Sequence, residues 1–387
     1  MSDERIILVP IVAVVFVDTL GYAAVVPLIP FALQDEHAPL VAVGAVFAAF
    51  SLCQLITAPL LGRLSDRVGR RPVLVLSLAG SVVGFALLAI SSAFPVVLLS
   101  RIIDGSSAGN VAMCYAAVLD SGTEDTRRRW IPALGAAAGA GLVAGLGLSS
   151  LLADFGFRAV ALVAMFLSLL CLALTLFAVP ETRRGAILSV KVSAALQLPK
   201  LRRPALFIAL GAALQGAFLL TLPTYFANAL GLHVQATTAL IAFLVVVAAA
   251  FQLVALPRLL GLLGTPVAAR LLLGVTLCSA AFVGTIADGA AAVVISALIL
   301  TMAVAALAPV GTLLLAESNP DVPVGLTMGL NASSATAGQI LGPITGYAAF
   351  ALGGSRALGL CCVALALCTA GTVRICTWLK IERAPGQ

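Results

Sequence analysis

Residues 62–72 read Gly62-Arg63-Leu64-Ser65-Asp66-Arg67-Val68-Gly69-Arg70-Arg71-Pro72. Five of these eleven side chains are charged, yet apolar runs lie on both sides, at roughly 39–61 and 73–91. Each run is about as long as the ~20 residues a helix needs to cross a bilayer. A short charged reversal between two such runs is what a polytopic helical membrane protein places at a membrane surface.

The rest of the chain agrees. Only 38 of its 387 residues are Asp, Glu, Lys or Arg, which is 10%, while 61% are hydrophobic and the mean hydropathy is +1.15. Soluble domains carry about 25% charged residues. So few charges cannot cover a soluble globule, and so apolar a chain is not disordered. The balance of 22 basic to 16 acidic residues forms no basic stripe, so no nucleic-acid partner is expected. The eight cysteines (Cys53, Cys114, Cys171, Cys278, Cys361, Cys362, Cys368 and Cys376) fall in apolar stretches without a CxxC pair. They read as packing residues, and no metal or cofactor is expected. Asp3 and Glu4 precede the first apolar run and Asp18 interrupts it, which reads as a retained helix rather than a signal peptide.

Charge, glycine and proline punctuation predicts twelve spans. They lie at roughly 6–32, 39–61, 73–91, 95–119, 131–152, 157–179, 204–230, 235–256, 268–286, 289–316, 324–351 and 355–379. The longest polar interval, 180–203, divides them into an N-terminal bundle (1–179) and a C-terminal bundle (204–387). With both termini inside, 19 of the 22 basic residues fall on the inner side, leaving Arg158 and Arg356 outside and Arg101 within a span. That asymmetry is what the positive-inside rule requires of an even count. A shift of 195 residues carries Gly21, Phe31 and Ala32 onto Gly216, Phe226 and Ala227, and Arg63, Leu64 and Gly69 onto Arg258, Leu259 and Gly264. The matches fall in equivalent spans and loops, pointing to a duplicated six-helix unit. Parallel repeats of this kind are a transporter architecture.

The stretch 62–72 resembles the signature G-x-L-a-D-r-x-G-r-k of the major facilitator superfamily, and with twelve spans the resemblance covers essentially the whole chain. The resemblance implies an all-α fold of two pseudo-symmetric six-helix bundles. It also implies that Gly62, Asp66, Arg67, Gly69, Arg70 and Arg71 latch the cytoplasmic side, with Asp120 pairing with Arg67 or Arg70. The glycines are expected to permit a tight reversal.

Span one carries Asp18-Thr19-Leu20-Gly21, then Pro27 and Pro30. This resembles the D-x-x-G…P-x-x-P pattern of the drug/proton antiporter branch, which includes tetracycline-type exporters. Asp18 lies about 18 Å from the inner end of its helix at 1.5 Å per residue. An ionisable group at that depth is costly and functional by default. Span four carries Arg101-Ile102-Ile103-Asp104-Gly105, similar to the family's R-x-x-q-G with an acid in place of the amide. Arg101 and Asp104 share a helical face and can neutralise one another. Two readings follow: a static pair, or competition of Asp18 and Asp104 for Arg101 with protonation releasing it. The branch's glycine-rich fifth helix is matched in part by Gly135, Gly139, Gly141, Gly145 and Gly147, with Leu146 where the pattern has proline. Span eleven fits better, with Gly329, Gly338, Gly342-Pro343 and Gly346.

In the family fold, helices one, four, seven and ten line the cavity. Candidate substrate contacts are Tyr22, Gln54, Asn110, Gln215, Tyr225, Asn228, Gln252, Asn331 and Gln339, with interhelical hydrogen bonding as the alternative for each. The resemblance implies a proton-coupled exporter of a small lipophilic or amphipathic compound. It would sit as a monomer in the lipid bilayer of a cell's inner membrane, with both termini cytoplasmic. A symporter or an uncoupled facilitator stays open because of Leu146. A membrane enzyme lacks a nucleophile–base or metal constellation, and a non-transporting sensor is disfavoured by the intact latch motif.

Overall fold

The computed structural model describes residues 2–121, 124–181, 199–285, 289–318 and 324–381. Within these, side chains are described except at the fringes 2–7, 121, 124–128, 199–200, 284–285, 318, 324–326 and 374–381. Most of the central interval 180–203, and residues such as Asp321, therefore lie outside the described residues.

The described chain is helical throughout. Eleven segments among the described residues are long and apolar enough to cross a membrane. They are α1 (Leu8–Asp35), α2 (Leu40–Val68), α3 (Arg70–Ile90), α4 (Phe94–Asp120), α5 (Arg129–Phe155), α6 (Phe157–Ala178), α7 (Leu201–Leu230), α8 (Val234–Leu263), α9 (Thr265–Val283), α10 (Ala290–Glu317), and the long segment Thr327–Val373. The last spans 47 residues, about 70 Å of helix at 1.5 Å per residue and more than twice a ~30 Å hydrocarbon core. It leaves helical geometry at Gly353 (φ −160°, ψ 25°) and Gly354 (φ 60°, ψ −143°), which divide it into α11 (327–352) and α12 (355–373). The twelve spans expected from punctuation are thus present, the last two joined by a two-glycine turn.

The largest shift from expectation is at 62–72. α2 continues through Arg63, Asp66 and Arg67 to Val68, so Gly62 sits inside a helix with open space around it. The reversal falls on Gly69 alone, at φ +112°, a conformation that suits glycine. The equivalent turn between α8 and α9 is likewise one residue, Gly264 at φ +74°.

Several spans are interrupted where backbone donors are lost. In α1, Pro27 and Pro30 lack N–H groups for the carbonyls four residues earlier, and Val26–Leu28 tightens to a 3-10 turn. α7 is broken at Leu220–Thr221 ahead of Pro223. α8 carries a π-helical turn at Phe251–Ala255, and α4 is broken at 107–109.

The chain forms two compact units, Met1–Ser189 with Leu232–Ala242, and Val190–Gly231 with Phe243–Gln387. In the first, glycines seat α5 on α1: a Cβ at Gly141 or Gly145 would fall on the Phe16 or Leu20 carbonyl. In the second, Gly338, Gly342 and Gly346 seat α11 against the carbonyls of Ala209, Ala213 and Ala217 on α7. Small residues at four-residue spacing let helix backbones approach where no hydrophobic effect between helices is available. A core of Leu8, Ile11, Val15, Leu74, Leu78, Cys114, Val118, Leu134 and Cys171 ties α1, α3, α4, α5 and α6 together.

Candidate functional site: a buried charge chain and a surface latch

The break in α4 organises the first unit. Its halves, Phe94–Ser106 and Asn110–Ser121, are separated by Ser107, Ala108 and Gly109. Ser107 turns its hydroxyl back onto the Ile103 carbonyl (3.0 Å), a bond that competes with regular helix geometry. From α2, Thr57 Oγ1 donates to the Gly105 carbonyl (3.4 Å) and Gln54 Nε2 to the Ala108 carbonyl (3.5 Å). Gly105 makes this approach possible, since a Cβ there would fall on the Phe50 carbonyl.

Arg101 and Asp104 lie just before the break and Asn110 just after it. Arg101 Nη1 meets Asp104 Oδ2 at 3.0 Å, with only 2% and 6% of the two side chains exposed. Arg101 Nη2 donates to Ser100 Oγ (3.2 Å), Ser100 Oγ donates to the Gly84 carbonyl (2.8 Å), and the guanidinium stands 5.5 Å from the Phe85 ring centre. Asp104 also accepts a hydrogen bond from Ser81 of α3. Ser81 Oγ in turn accepts from Asn110 Nδ2 (3.4 Å), which also donates to Asp18 Oδ1 of α1 (2.9 Å). The polar groups form one chain, Asp18–Asn110–Ser81–Asp104–Arg101, across α1, α3 and α4. Gly84 lets α3 and α4 close around it, because a Cβ there would stand 3.1 Å from the Asp104 Cβ.

Both acids and the base expected from sequence are therefore linked, but not all directly. Arg101 is paired with Asp104, while Asp18 is held by Asn110. With both carboxylates ionised the chain carries one uncompensated negative charge, and one added proton brings it to neutrality. A cluster so close to charge balance, with Arg101 and Asp104 buried and Asp18 half-buried, is suited to exchanging a single proton.

At the end of the unit formed by the α2–α3 turn, Arg70 takes the central place. Its guanidinium contacts Asp66 Oδ1 (2.7 Å), Asp120 Oδ2 (2.7 Å) and Ser65 Oγ (2.5 Å). Asp120 thus pairs with Arg70 of the two partners expected for it, and Arg67 is exposed. Glu181, just beyond α6, accepts from the backbone N–H groups of Arg70 (2.9 Å) and Arg71 (3.2 Å). A carboxylate bridging the first N–H groups of α3 satisfies two unpaired donors and opposes the positive end of the helix dipole. Arg71 also donates to the Leu176 carbonyl, fastening the same corner to α6.

The Major Facilitator Superfamily model matches residues 11–291, which is more than two thirds of the chain. The chain belongs to the Major Facilitator Superfamily. It is 39% identical over 145 residues to the class D tetracycline resistance protein of Salmonella ordonez, covering 36% of each chain. It is 36% identical over 147 residues to the class B protein of Escherichia coli, covering 37% of this chain and 36% of that one. A third relative, the major facilitator superfamily domain-containing protein 10 of Bos taurus, is 42% identical over 109 residues, 28% of this chain and 24% of the relative. The chain thus aligns with about a third or less of the length of these relatives. Among solved structures it resembles the human organic anion transporter MFSD10 (TETRAN), with TM-score 0.70, 21% identity and coverage of 96% and 99%. It also resembles the nucleoside transporter NupG, with TM-score 0.76, 14% identity and coverage of 97% and 99%. At these identities the two structures show the superfamily fold.

Tyr22 lies 5.6 Å ring to ring from Phe50, while Asn110 is taken up by Asp18 and Ser81. Gln252 sits in the π turn of α8 and donates to the Ala305 carbonyl of α10 (2.6 Å). Pro309 has no N–H for that carbonyl, so Gln252 supplies the missing donor. Asn331 accepts from Thr312 (3.2 Å), and Asn228, exposed, donates to the Thr224 carbonyl of its own helix (2.8 Å). Tyr225 is fully buried beside Phe226, Gln215 is half-buried, and Gln339 is exposed.

Ser81 and Glu181 were not anticipated as site residues. Glu181 had a signal in sequence, an isolated acid directly after a span in a chain with few acids. Ser81 had none, being one serine among many in an apolar run.

Proposed function

We propose that this superfamily member is a secondary transporter that works by alternating access and couples export of a small lipophilic or amphipathic compound to proton entry. The observation that carries this is the Asp18–Asn110–Ser81–Asp104–Arg101 chain, which holds two acids and one base among α1, α3 and α4. Protonation of Asp18 or Asp104 would change the net charge of that chain and so the balance between two arrangements of these helices. A ligand shifts such an equilibrium only by its different affinity for the two states, so proton and substrate must act on the same helices. In this reading the two bundles are 1–179 and 204–387, and 180–203 is the cytoplasmic loop between them. The Asp66–Arg70–Asp120 cluster with Glu181 would then close the cytoplasmic side of an inner-membrane protein whose termini are both cytoplasmic.

The named relatives make tetracycline the first compound to test, followed by other lipophilic amphiphiles. Vesicles holding the purified protein would be charged with a pH gradient of either sign and substrate movement followed. Accumulation driven only by a gradient that carries protons opposite to the substrate supports exchange. Accumulation with protons moving alongside the substrate would make it a symporter, and equal rates without a gradient would make it a facilitator, the alternatives that Leu146 leaves open.

A further inference from the structure

The second unit contains a groove that none of the preceding chemistry uses. It has a volume of about 690 Å³ and lies between α9 and α10. Along α9 it runs from Val267 through Arg270, Gly274 and Cys278 to Phe282. This is a single stripe four turns long, about 22 Å at 1.5 Å per residue. Ile295, Ser296 and Ile299 form the other wall. The groove is open along its length. Leu271, Val275, Ile295 and Ile299 are between 41% and 56% exposed, although both helices belong to membrane spans. Its walls are apolar apart from Arg270, which is exposed and sits five residues into α9, and the hydroxyls of Ser279 and Ser296, which are bonded to backbone carbonyls of their own helices. Arg258 lies at the same end of the unit, five residues before the end of α8, and adds positive charge at that level.

An apolar trough ending in an exposed guanidinium near a span terminus has the chemistry of an anionic lipid. The trough is longer than one acyl chain needs, since a leaflet's share of the core is about 15 Å. The arginine can extend its stem along the apolar wall and place its head at phosphate level. Basic positions between transmembrane helices attract anionic headgroups. Gly274 leaves the middle of the trough open, with no heavy atom within contact distance of a Cβ built there. We propose that the α9–α10 groove is a binding site for one anionic phospholipid, its phosphate on Arg270 and one acyl chain along Gly274 and Cys278.

Native mass spectrometry of the purified protein, exposed to equimolar phosphatidylglycerol and phosphatidylcholine with matched acyl chains, tests this directly. Wild type is expected to retain one phosphatidylglycerol in preference to phosphatidylcholine by about fivefold, the effect of one basic residue at an anionic surface. Arg270→Gln should reduce that preference, and Arg270→Gln with Arg258→Gln should abolish it, while both still hold one lipid of either kind. Gly274→Leu, which fills the trough without a backbone clash, should lose the retained lipid altogether. Thermal melting of all three variants within a few degrees of wild type would show that they fold. Equal retention of the two lipids by wild type, or an undiminished lipid adduct in folded Gly274→Leu, would overturn the proposal. Displacement of the lipid by a transported amphiphile at low concentration would overturn it as well, because the groove would then be a substrate site.

Discussion

The two units share neutral contacts to the backbone and differ in where they place charge. In the first, Gln54 of α2 donates to the Ala108 carbonyl of α4; in the second, Gln252 of α8 donates to the Ala305 carbonyl of α10. The glutamines are 198 residues apart and the carbonyls 197, within three residues of the 195-residue shift between the halves, so the contacts occupy corresponding places. At the single-glycine turns the correspondence continues, but the charge does not. Arg70, following Gly69, bonds to Asp120 at the end of α4, whereas Thr265, following Gly264, donates to Glu317 at the end of α10 (2.5 Å). An ion pair in one unit is a neutral hydroxyl on a carboxylate in the other. The chain of half-buried Asp18 and buried Asp104 and Arg101 has no charged counterpart among the described buried residues of the second unit. Neutral contacts that shape the helices are kept in both units, while the buried charged side chains among the described residues lie in the first.

Removal of the base should perturb the first unit most. Arg101→Leu leaves Asp104 buried and uncompensated, and should cost about 3–5 kcal/mol of stability. Thermal unfolding in detergent would show a large drop, and Arg101→Leu combined with Asp104→Leu should regain most of it. A single variant that melts like wild type would mean the pair is not desolvated.

Next in size is the packing shared by both units. Gly145→Leu and Gly342→Leu drive a side chain into a neighbouring backbone, whereas Gly147→Leu enters open space. The first two should lose about 1–3 kcal/mol or more and the third almost nothing, by the same melting assay. The turns then separate the units. Arg70→Ala should cost about 3 kcal/mol because it strands the buried Asp120, while Thr265→Ala should cost only about 1 kcal/mol. Equal losses would erase the distinction. The smallest contrast is the glutamine pair: Gln54→Leu and Gln252→Leu should each cost about 1–2 kcal/mol, with Gln252 the more sensitive because Pro309 leaves Ala305 without another helical donor.

Much of this was legible in sequence. Apolar run length and basic asymmetry carry the twelve spans, since both follow from the bilayer's thickness and polarity. The residues 62–72, Asp18 and Arg101-Ile102-Ile103-Asp104 marked the two polar clusters because charges are costly among apolar runs. Partner choice was not legible. That Asp18 meets Asn110 rather than Arg101, or that Arg70 rather than Arg67 takes Asp120, depends on helix rotation, which periodicity does not fix in uniformly apolar spans. The α4 break was hidden as well, because Ser106-Ser107-Ala108-Gly109 contains no proline. Gln54 and Gln252 looked alike as cavity candidates; only the Ala108 and Ala305 carbonyls opposite them reveal a structural bond.

The most direct measurement compares wild type with Asp18→Asn in reconstituted vesicles, following both gradient-driven accumulation and gradient-free substrate exchange. The expected result is loss of accumulation with exchange retained, because the asparagine keeps the bond to Asn110 but cannot carry a proton. Full gradient-driven accumulation by Asp18→Asn would contradict the assignment of the proton to Asp18, and full accumulation by both Asp18→Asn and Asp104→Asn would contradict the assignment of coupling to this chain of residues.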